Sequence, residues 1–315
     1  MNPTKRYRPC VLATCCVPWR EDYSFAEDTF RRSVRHLIAR GISDLYIFGT
    51  AGEGYAITER QFDDITRVFC EETSGDGIQG MVGLISLSLP TVIERIERAK
   101  EMGARRFQIS LPSWGILSDA EMETFFRETC GRFPDREFLH YNLMRVGRII
   151  TGAEYGRLAE QYPNLVATKN STADETRLQS LMHEAPQLQH FITERGFAKA
   201  ARMGECGFLI SFASTNLALG RQYFQAGQEG HFSLLDEMHE ELDGIAADLR
   251  DSVGGSAHMD GAFDKMFCRL HDGEFPLRLL PPYEGFNEAV FQRYVRDLKL
   301  KHPRWVPQPT RSRSS

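Results

Sequence analysis

Val166-Ala167-Thr168-Lys169-Asn170-Ser171 is an apolar run that ends in a lysine and gives way to small polar residues. Leu165 to Ala167 read as a short buried strand, and Asn170 to Asp174 as the turn and cap of the next helix. Lys169 is thereby placed at the carboxyl end of a strand. In a barrel of alternating strands and helices those ends carry the chemistry, whereas a lysine in mid-strand would be a buried charge without a partner. Apolar neighbours would desolvate the amine and lower its pKa, leaving a free base able to attack a ketone and form a Schiff base. A lone lysine at a strand end also has a plainer role, its stem on apolar surface and its ammonium in solvent.

Outward from this strand the chain alternates. Strands are expected at Cys10 to Thr14, Asp44 to Phe48, Gln79 to Gly83, Arg106 to Ser110, Glu137 to Tyr141, Leu165 to Lys169, His190 to Ile192 and Gly207 to Ser211. Helical spacing follows each one, at Ser24 to Arg40, Glu59 to Glu72, Thr91 to Met102, Asp119 to Arg132, Gly152 to Gln161, Asp174 to His183, Phe197 to Met203 and Asn216 to Gly227. Eight such pairs over about 225 residues fit a closed (β/α)8 TIM barrel, an α/β fold, with an open doubly wound sheet as the alternative. The barrel is assigned to residues 1–230. Residues 231–302 read as a C-terminal helical appendage, with Phe232 to Asp251, Ala257 to Leu270 and Asn287 to Leu300 helical and Gly254-Gly255 as a break. Residues 303–315, with three prolines and a basic serine-rich end, are expected to be disordered.

Of the 315 residues 42% are hydrophobic, enough for an ordinary core, and the net charge of −5 is spread without a basic stripe. Nucleic acid and anionic membrane are excluded as expected partners. No apolar run approaches the roughly 20 residues of a membrane span, and no apolar segment follows the polar N-terminus, so a soluble cytoplasmic protein is expected. Seven cysteines without framework spacing read as reduced packing thiols, and nine histidines without an HExxH give no metal site. Two motifs are decoys. Gly75-Asp76-Gly77-Ile78-Gln79-Gly80 matches GxGxxG but precedes a strand instead of following one. Asn170-Ser171-Thr172 matches a glycosylation sequon beside the candidate lysine in a chain with no export signal.

Other strand ends carry reactive side chains. Gly49-Thr50-Ala51-Gly52-Glu53-Gly54 follows the second strand, and its small residues let backbone N–H groups approach an anion, although a plain βα turn has the same composition. The fifth strand ends in His140-Tyr141-Asn142. Tyr141 can shuttle a proton or serve as a capping core aromatic. Arg145 can hold a carboxylate through its fork or stay solvated.

In order and spacing, Gly49-Thr50-Ala51-Gly52-Glu53, Tyr141-Asn142, Arg145-Val146-Gly147 and Lys169 resemble the dihydrodipicolinate synthase and N-acetylneuraminate lyase family of class I aldolases. The resemblance runs from the first strand to about residue 225. It implies a TIM barrel, a homo-oligomer (dimer or tetramer), and a small 2-oxo acid of the pyruvate type bound without metal or organic cofactor. Lys169 would form the Schiff base, Tyr141 would move protons, and Thr50 would support the tyrosine. The backbone N–H groups of Thr50 and Ala51 would hold the substrate carboxylate, and Leu209 and Ile210 would close the pocket floor.

The departures bear on substrate. Ala51 stands where most members have threonine, which removes a hydroxyl donor worth about 1.5–3 kcal/mol toward a charged group; Arg145 or Arg195 would replace it. Pro112-Ser113-Trp114 stands where lysine-pathway synthases place a relay tyrosine, so Trp114 is expected to wall a larger or less polar substrate, with Ser113 among the selectivity residues. Glu194 would act as an acid for water loss and Arg195 as a second anion contact, or the two are an ordinary surface pair. The expected activity is a Schiff-base lyase or aldolase distinct from the lysine-pathway synthase. The alternatives are a dehydratase of a keto-deoxy sugar acid, the substrate class favoured here, and a non-catalytic ligand-binding barrel.

Overall fold

The computed structural model describes residues 4–255 and 258–307. Eight parallel strands, β1 (Val11–Thr14), β2 (Asp44–Ile47), β3 (Gln79–Gly83), β4 (Arg106–Ile109), β5 (Glu137–Tyr141), β6 (Leu165–Asn170), β7 (Gln189–Thr193) and β8 (Gly207–Ile210), form a barrel in sequence order. Because β1 pairs with both β2 and β8, the sheet is closed and the doubly wound alternative is excluded. The outer ring is α1 (Glu27–Ala39), α2 (Glu59–Glu72), α3 (Leu89–Glu101), α4 (Asp119–Phe126), α5 (Gly152–Gln161), α6 (Glu175–Glu184), α7 (Glu194–Met203) and α8 (Leu217–Gln228). Capping boxes at Thr58/Gln61, Ser118/Glu121 and Thr151/Glu154 satisfy the first free N–H groups of α2, α4 and α5.

Side chains of alternate strand positions fill the barrel, among them Leu12, Tyr46, Met81, Leu139, Ala167, Phe191 and Leu209. The basic N-terminal arm closes the amino end. Lys5 donates to the carbonyls of Pro186 and Leu188, Arg6 to those of Tyr162 and Leu165, and Tyr7 and Arg8 both bond Asp44.

Three details depart from the sequence pattern. The helix expected to run to Arg132 is α-helical only to Phe126 and continues as a π-helical stretch over Arg127–Gly131, where the Thr129 hydroxyl donates to the Phe125 carbonyl at 2.8 Å. α7 begins at Glu194, so Glu194 and Arg195 occupy a first helical turn where a loop was expected. The tail expected to be disordered from Pro303 starts as a 3-10 turn, Pro303–Trp305, with Trp305 buried and its Nε1 donating to Glu241 at 2.8 Å; residues 308–315 of that segment lie outside the described residues.

Beyond the barrel lie α9 (Phe232–Ser252), α10 (Asp260–His271) and α11 (Glu288–Lys301). α9 buries Leu235, Met238, Leu242 and Ile245 in the barrel's own core. α10 is tied to the loop after β2 by an ion pair. Lys265 Nζ lies 2.5 Å from Glu53 Oε1, with both side chains fully buried. Glu53 also accepts from Trp19 Nε1 at 2.9 Å and from the Leu280 N–H at 2.7 Å, and Lys265 donates to the Arg278 carbonyl at 2.6 Å.

Removing one partner of such a pair leaves a buried charge uncompensated, at a cost of about 3–5 kcal/mol. Lys265→Met is expected to lower the melting temperature by several degrees in a thermal scan. A variant that melts with the wild type would show the pair to be dispensable.

Candidate active site

Lys169 projects into the barrel from β6, level with Tyr141 of β5, to which it is paired in register. Its Nζ donates to Tyr46 Oη at 3.0 Å, approaches Gln108 Oε1 at 3.5 Å, and lies 3.9 and 4.4 Å from the ring centroids of Tyr141 and Tyr46. Among the described residues no carboxylate is within ion-pair distance. Two π faces and neutral oxygens replace water poorly around an ammonium, so burial lowers the Lys169 pKa to about 7, against the upward pull of Asp260 and Asp264. A glycine makes the space: a Cβ on Gly49 would stand 2.7 Å from the Tyr46 ring and 3.3 Å from Lys169 Nζ.

The outer face of β6 is held by a polar chain. His190 Nε2 faces the Ala185 carbonyl at 3.0 Å and therefore carries the proton, leaving Nδ1 to accept from Thr168 Oγ1 at 2.7 Å. Thr168 accepts from Asn170, Asn170 accepts from Asn142, and Asn142 exchanges two bonds with the backbone of Ile150. His190 stays neutral because burial lowers its pKa to about 3. This chain fixes β6 against β5 and β7, and with them the relation of Lys169 to Tyr141.

The loop after β2 brings Thr50 and Ala51 to the same cavity, both buried. Left-handed backbone at Phe48 (φ 56°) and Glu53 (φ 57°) brackets it, a conformation unfavourable for residues with a Cβ and held here by the bonds to Glu53. Neither the Thr50 nor the Ala51 amide meets a protein acceptor among the described residues. Tyr141 is pushed up to about 12, chiefly by burial, while the neighbouring Thr50 side chain pulls it down. No well-formed bond joins the two, and Thr50 Oγ1 is buried without a partner.

The cavity measures about 630 Å³ and is lined by Lys169, Tyr46, Tyr141, Thr50, Ala51, Leu209 and Ile210, with Glu194, Arg195, Arg145, Asp260 and Asp264 among its charged groups. Glu194 Oε1 accepts the N–H groups of Ser211 (2.6 Å) and Ala213 (3.0 Å), while Oε2 is buried without a partner. Burial raises Glu194 to about 7 against those bonds.

A model of the dihydrodipicolinate synthetase family matches residues 9–254. The chain belongs to that family. Among its curated relatives, the 4-hydroxy-tetrahydrodipicolinate synthase of Thermus thermophilus is 28% identical over 50% of this chain and 53% of its own length. The enzyme of the same name from an Exiguobacterium is 24% identical over 56% of this chain and 60% of its own. The chain thus spans little more than half the length of these relatives. YagE, a prophage protein of Escherichia coli K12 solved in complex with pyruvate, shares the fold with a TM-score of 0.82 at 17% identity, covering 93% of this chain and 98% of that one.

Within this family member the residues singled out by sequence do not all converge. Lys169, Tyr141, Thr50, Ala51, Leu209, Ile210, Glu194 and Arg195 line one cavity. Arg145 does so as well, but its guanidinium is engaged by Asp260, 2.9 Å from Oδ1. Ser113 and Trp114 are placed elsewhere. The loop after β4 turns outward, leaving Trp114 89% exposed and Ser113 exposed, so Trp114 does not form the wall expected of it and Ser113 is not among the lining residues. Tyr46, Asp260 and Asp264 reach the cavity unannounced. Tyr46 looks like any strand aromatic in sequence. The carboxylates are four residues apart on a helix 91 and 95 residues beyond Lys169, and only their shared helical face hints at a common target. No group of three or more potential metal ligands occurs among the described residues, and no described helix is long and apolar enough to cross a membrane.

Proposed function

We propose that this protein is a class I lyase in which Lys169 forms a Schiff base with a 2-oxo acid of the pyruvate type. The observation that carries the proposal is a buried amine with a pKa of about 7, unpaired by any carboxylate, facing a 630 Å³ cavity. The free amine attacks the keto carbon, and Tyr141, 3.9 Å from Nζ measured to its ring centre, passes the proton from nitrogen to the new alkoxide. The carbinolamine then expels water to give an iminium, which accepts the electron pair of a breaking carbon–carbon or carbon–hydrogen bond. The unengaged amides of Thr50 and Ala51 suit the substrate carboxylate. With Ala51 lacking the usual hydroxyl, the substrate is taken to differ from that of the lysine-pathway enzyme. A purely binding barrel has no use for an amine desolvated to this degree.

Borohydride added with pyruvate is expected to leave a stable mass on the Lys169 peptide, and none in Lys169→Met. Its rate of appearance should rise with pH through about 7 as the ammonium gives up its proton. If no 2-oxo acid modifies the wild type, the lyase assignment fails.

Glu194 supports a second reading, water loss from a keto-deoxy sugar acid. With Oε1 held by two N–H groups, a proton on this carboxyl resides on the unpartnered Oε2, and at a pKa of about 7 half the molecules carry it at neutrality. The cavity lining mixes Arg195 and Arg250 with Asp260 and Asp264, which suits a polyhydroxy chain better than a second acid group. Glu194→Gln is expected to slow dehydration of such an acid by about 10²-fold or more, as for losing a general acid. An unchanged rate removes this reading.

The exposed Leu87, Trp114 and Ile116, on the loops after β3 and β4, support the homo-oligomer implied by the family. Trp114→Glu is expected to shift sedimentation toward a smaller species; the same mass in both proteins would place the interface elsewhere.

A further inference from the structure

The Schiff-base reading leaves one group in the cavity without a task. Asp264 projects from α10, is 6% exposed, and lines the cavity together with Lys169 and Tyr46. No cation is within ion-pair distance of it among the described residues. Its one hydrogen bond to a side chain is a long one, accepted from Ser211 Oγ at 3.4 Å. A structural carboxylate at this depth would be expected to carry a partner, because an unpaired buried charge costs several kcal/mol.

Its position is nonetheless closely specified. The next residue, Lys265, is the buried partner of Glu53, so the ion pair that anchors α10 also fixes the direction of Asp264. At the start of the helix Gly261 lies so near the loop after β2 that a Cβ there would meet the Ala51 carbonyl at 2.9 Å. α10 is thus clamped at two points to the loop proposed to hold the substrate carboxylate. Asp264 also borders a second cavity of about 360 Å³, beside Cys16, His36 and His271.

We propose that Asp264 is the acid that frees water from the carbinolamine and the base for the carbon next to the imine, a catalytic role supplied to the barrel by its helical appendage; this rests on Lys169 forming the Schiff base. Burial, with Asp260 and Glu194 nearby, raises its pKa to about 8, so at neutral pH the carboxyl is mostly protonated beside an amine that burial brings down to about 7. Each step balances. The carbinolamine hydroxyl takes the Asp264 proton and leaves as water, producing an iminium cation and an Asp264 carboxylate. That new cation stabilises the carboxylate, as an opposite charge does in a low-dielectric site. The carboxylate then removes a proton from the adjacent carbon. The C–H electron pair forms the enamine double bond, the iminium nitrogen becomes neutral, and Asp264 is again an acid. In the reverse direction the same proton is returned to the enamine.

The test is exchange of the methyl protons of pyruvate in deuterium oxide, followed by proton NMR beside borohydride trapping of the Lys169 adduct. The wild type is expected to do both. Asp264→Asn, which keeps the shape and removes the acid, should still accumulate the adduct at end point, which also reports an intact site. Its exchange per mole of adduct should fall by about 10²–10⁴-fold, as for loss of a general base. Exchange at the wild-type rate overturns the proposal. So does loss of the adduct together with the exchange, which would make Asp264 a support for the amine. A wild type that forms no adduct sinks the Schiff-base reading itself and is distinguished from both.

Discussion

The carboxylate of Glu53 holds the architecture of the site together. One side chain on the loop after β2 binds the indole of Trp19 from the chain between β1 and α1, the ammonium of Lys265 on α10, and the backbone N–H of Leu280 before α11. Four segments distant in sequence meet at a group that is fully buried. A buried charge is tolerable only when its lone pairs are filled by well-placed donors, and here both oxygens are engaged. This constraint explains why the loop accepts left-handed backbone at Glu53 and why α10 takes its place over the barrel mouth.

Lys169 presents the opposite arrangement. Its side chain is buried, as that of Lys265 is, yet it faces a tyrosine hydroxyl, an amide oxygen and two aromatic rings instead of a carboxylate. The two lysines differ in what the fold sets against the nitrogen. A carboxylate beside a buried ammonium works against the lowering by burial, as Glu53 does for Lys265, whereas an ammonium with only neutral neighbours gives up its proton more readily. The same cavity holds the complementary anomaly in Glu194 and Asp264, carboxyls whose pKa burial raises to about 7 and about 8. Groups of both kinds, with pKa values drawn toward 7 from either side, are what proton transfer at neutral pH needs.

The mouth of the cavity sets the substrate reading apart from the composition of its loops. Arg145 lines the cavity with its guanidinium engaged by Asp260, and Trp114 is exposed outside the cavity lining, so the two are not the free anion contact and the wall that they look like in sequence. The appendage contributes in their place. α9 and α10 bring Arg250, Asp260 and Asp264 over strand ends to which they have no sequence proximity.

The sequence alone determined the barrel, because the alternation of short apolar runs with 3.6-residue periodicity is a local property repeated eight times. It also located Lys169, Tyr141 and the Gly49 to Gly54 loop, since a strand's carboxyl end can be recognised from the turn that follows it. Helix boundaries slipped where a side chain competes with the backbone, as at Thr129, or where a loop and a first helical turn share the same composition, as at Glu194. Only the tertiary structure decided which charges meet. Pairing of Glu53 with Lys265 and of Arg145 with Asp260 spans 212 and 115 residues. Whether a lysine is a tether or a nucleophile depends on which carboxylate the fold brings within a few ångströms, a fact carried by no local pattern of residues.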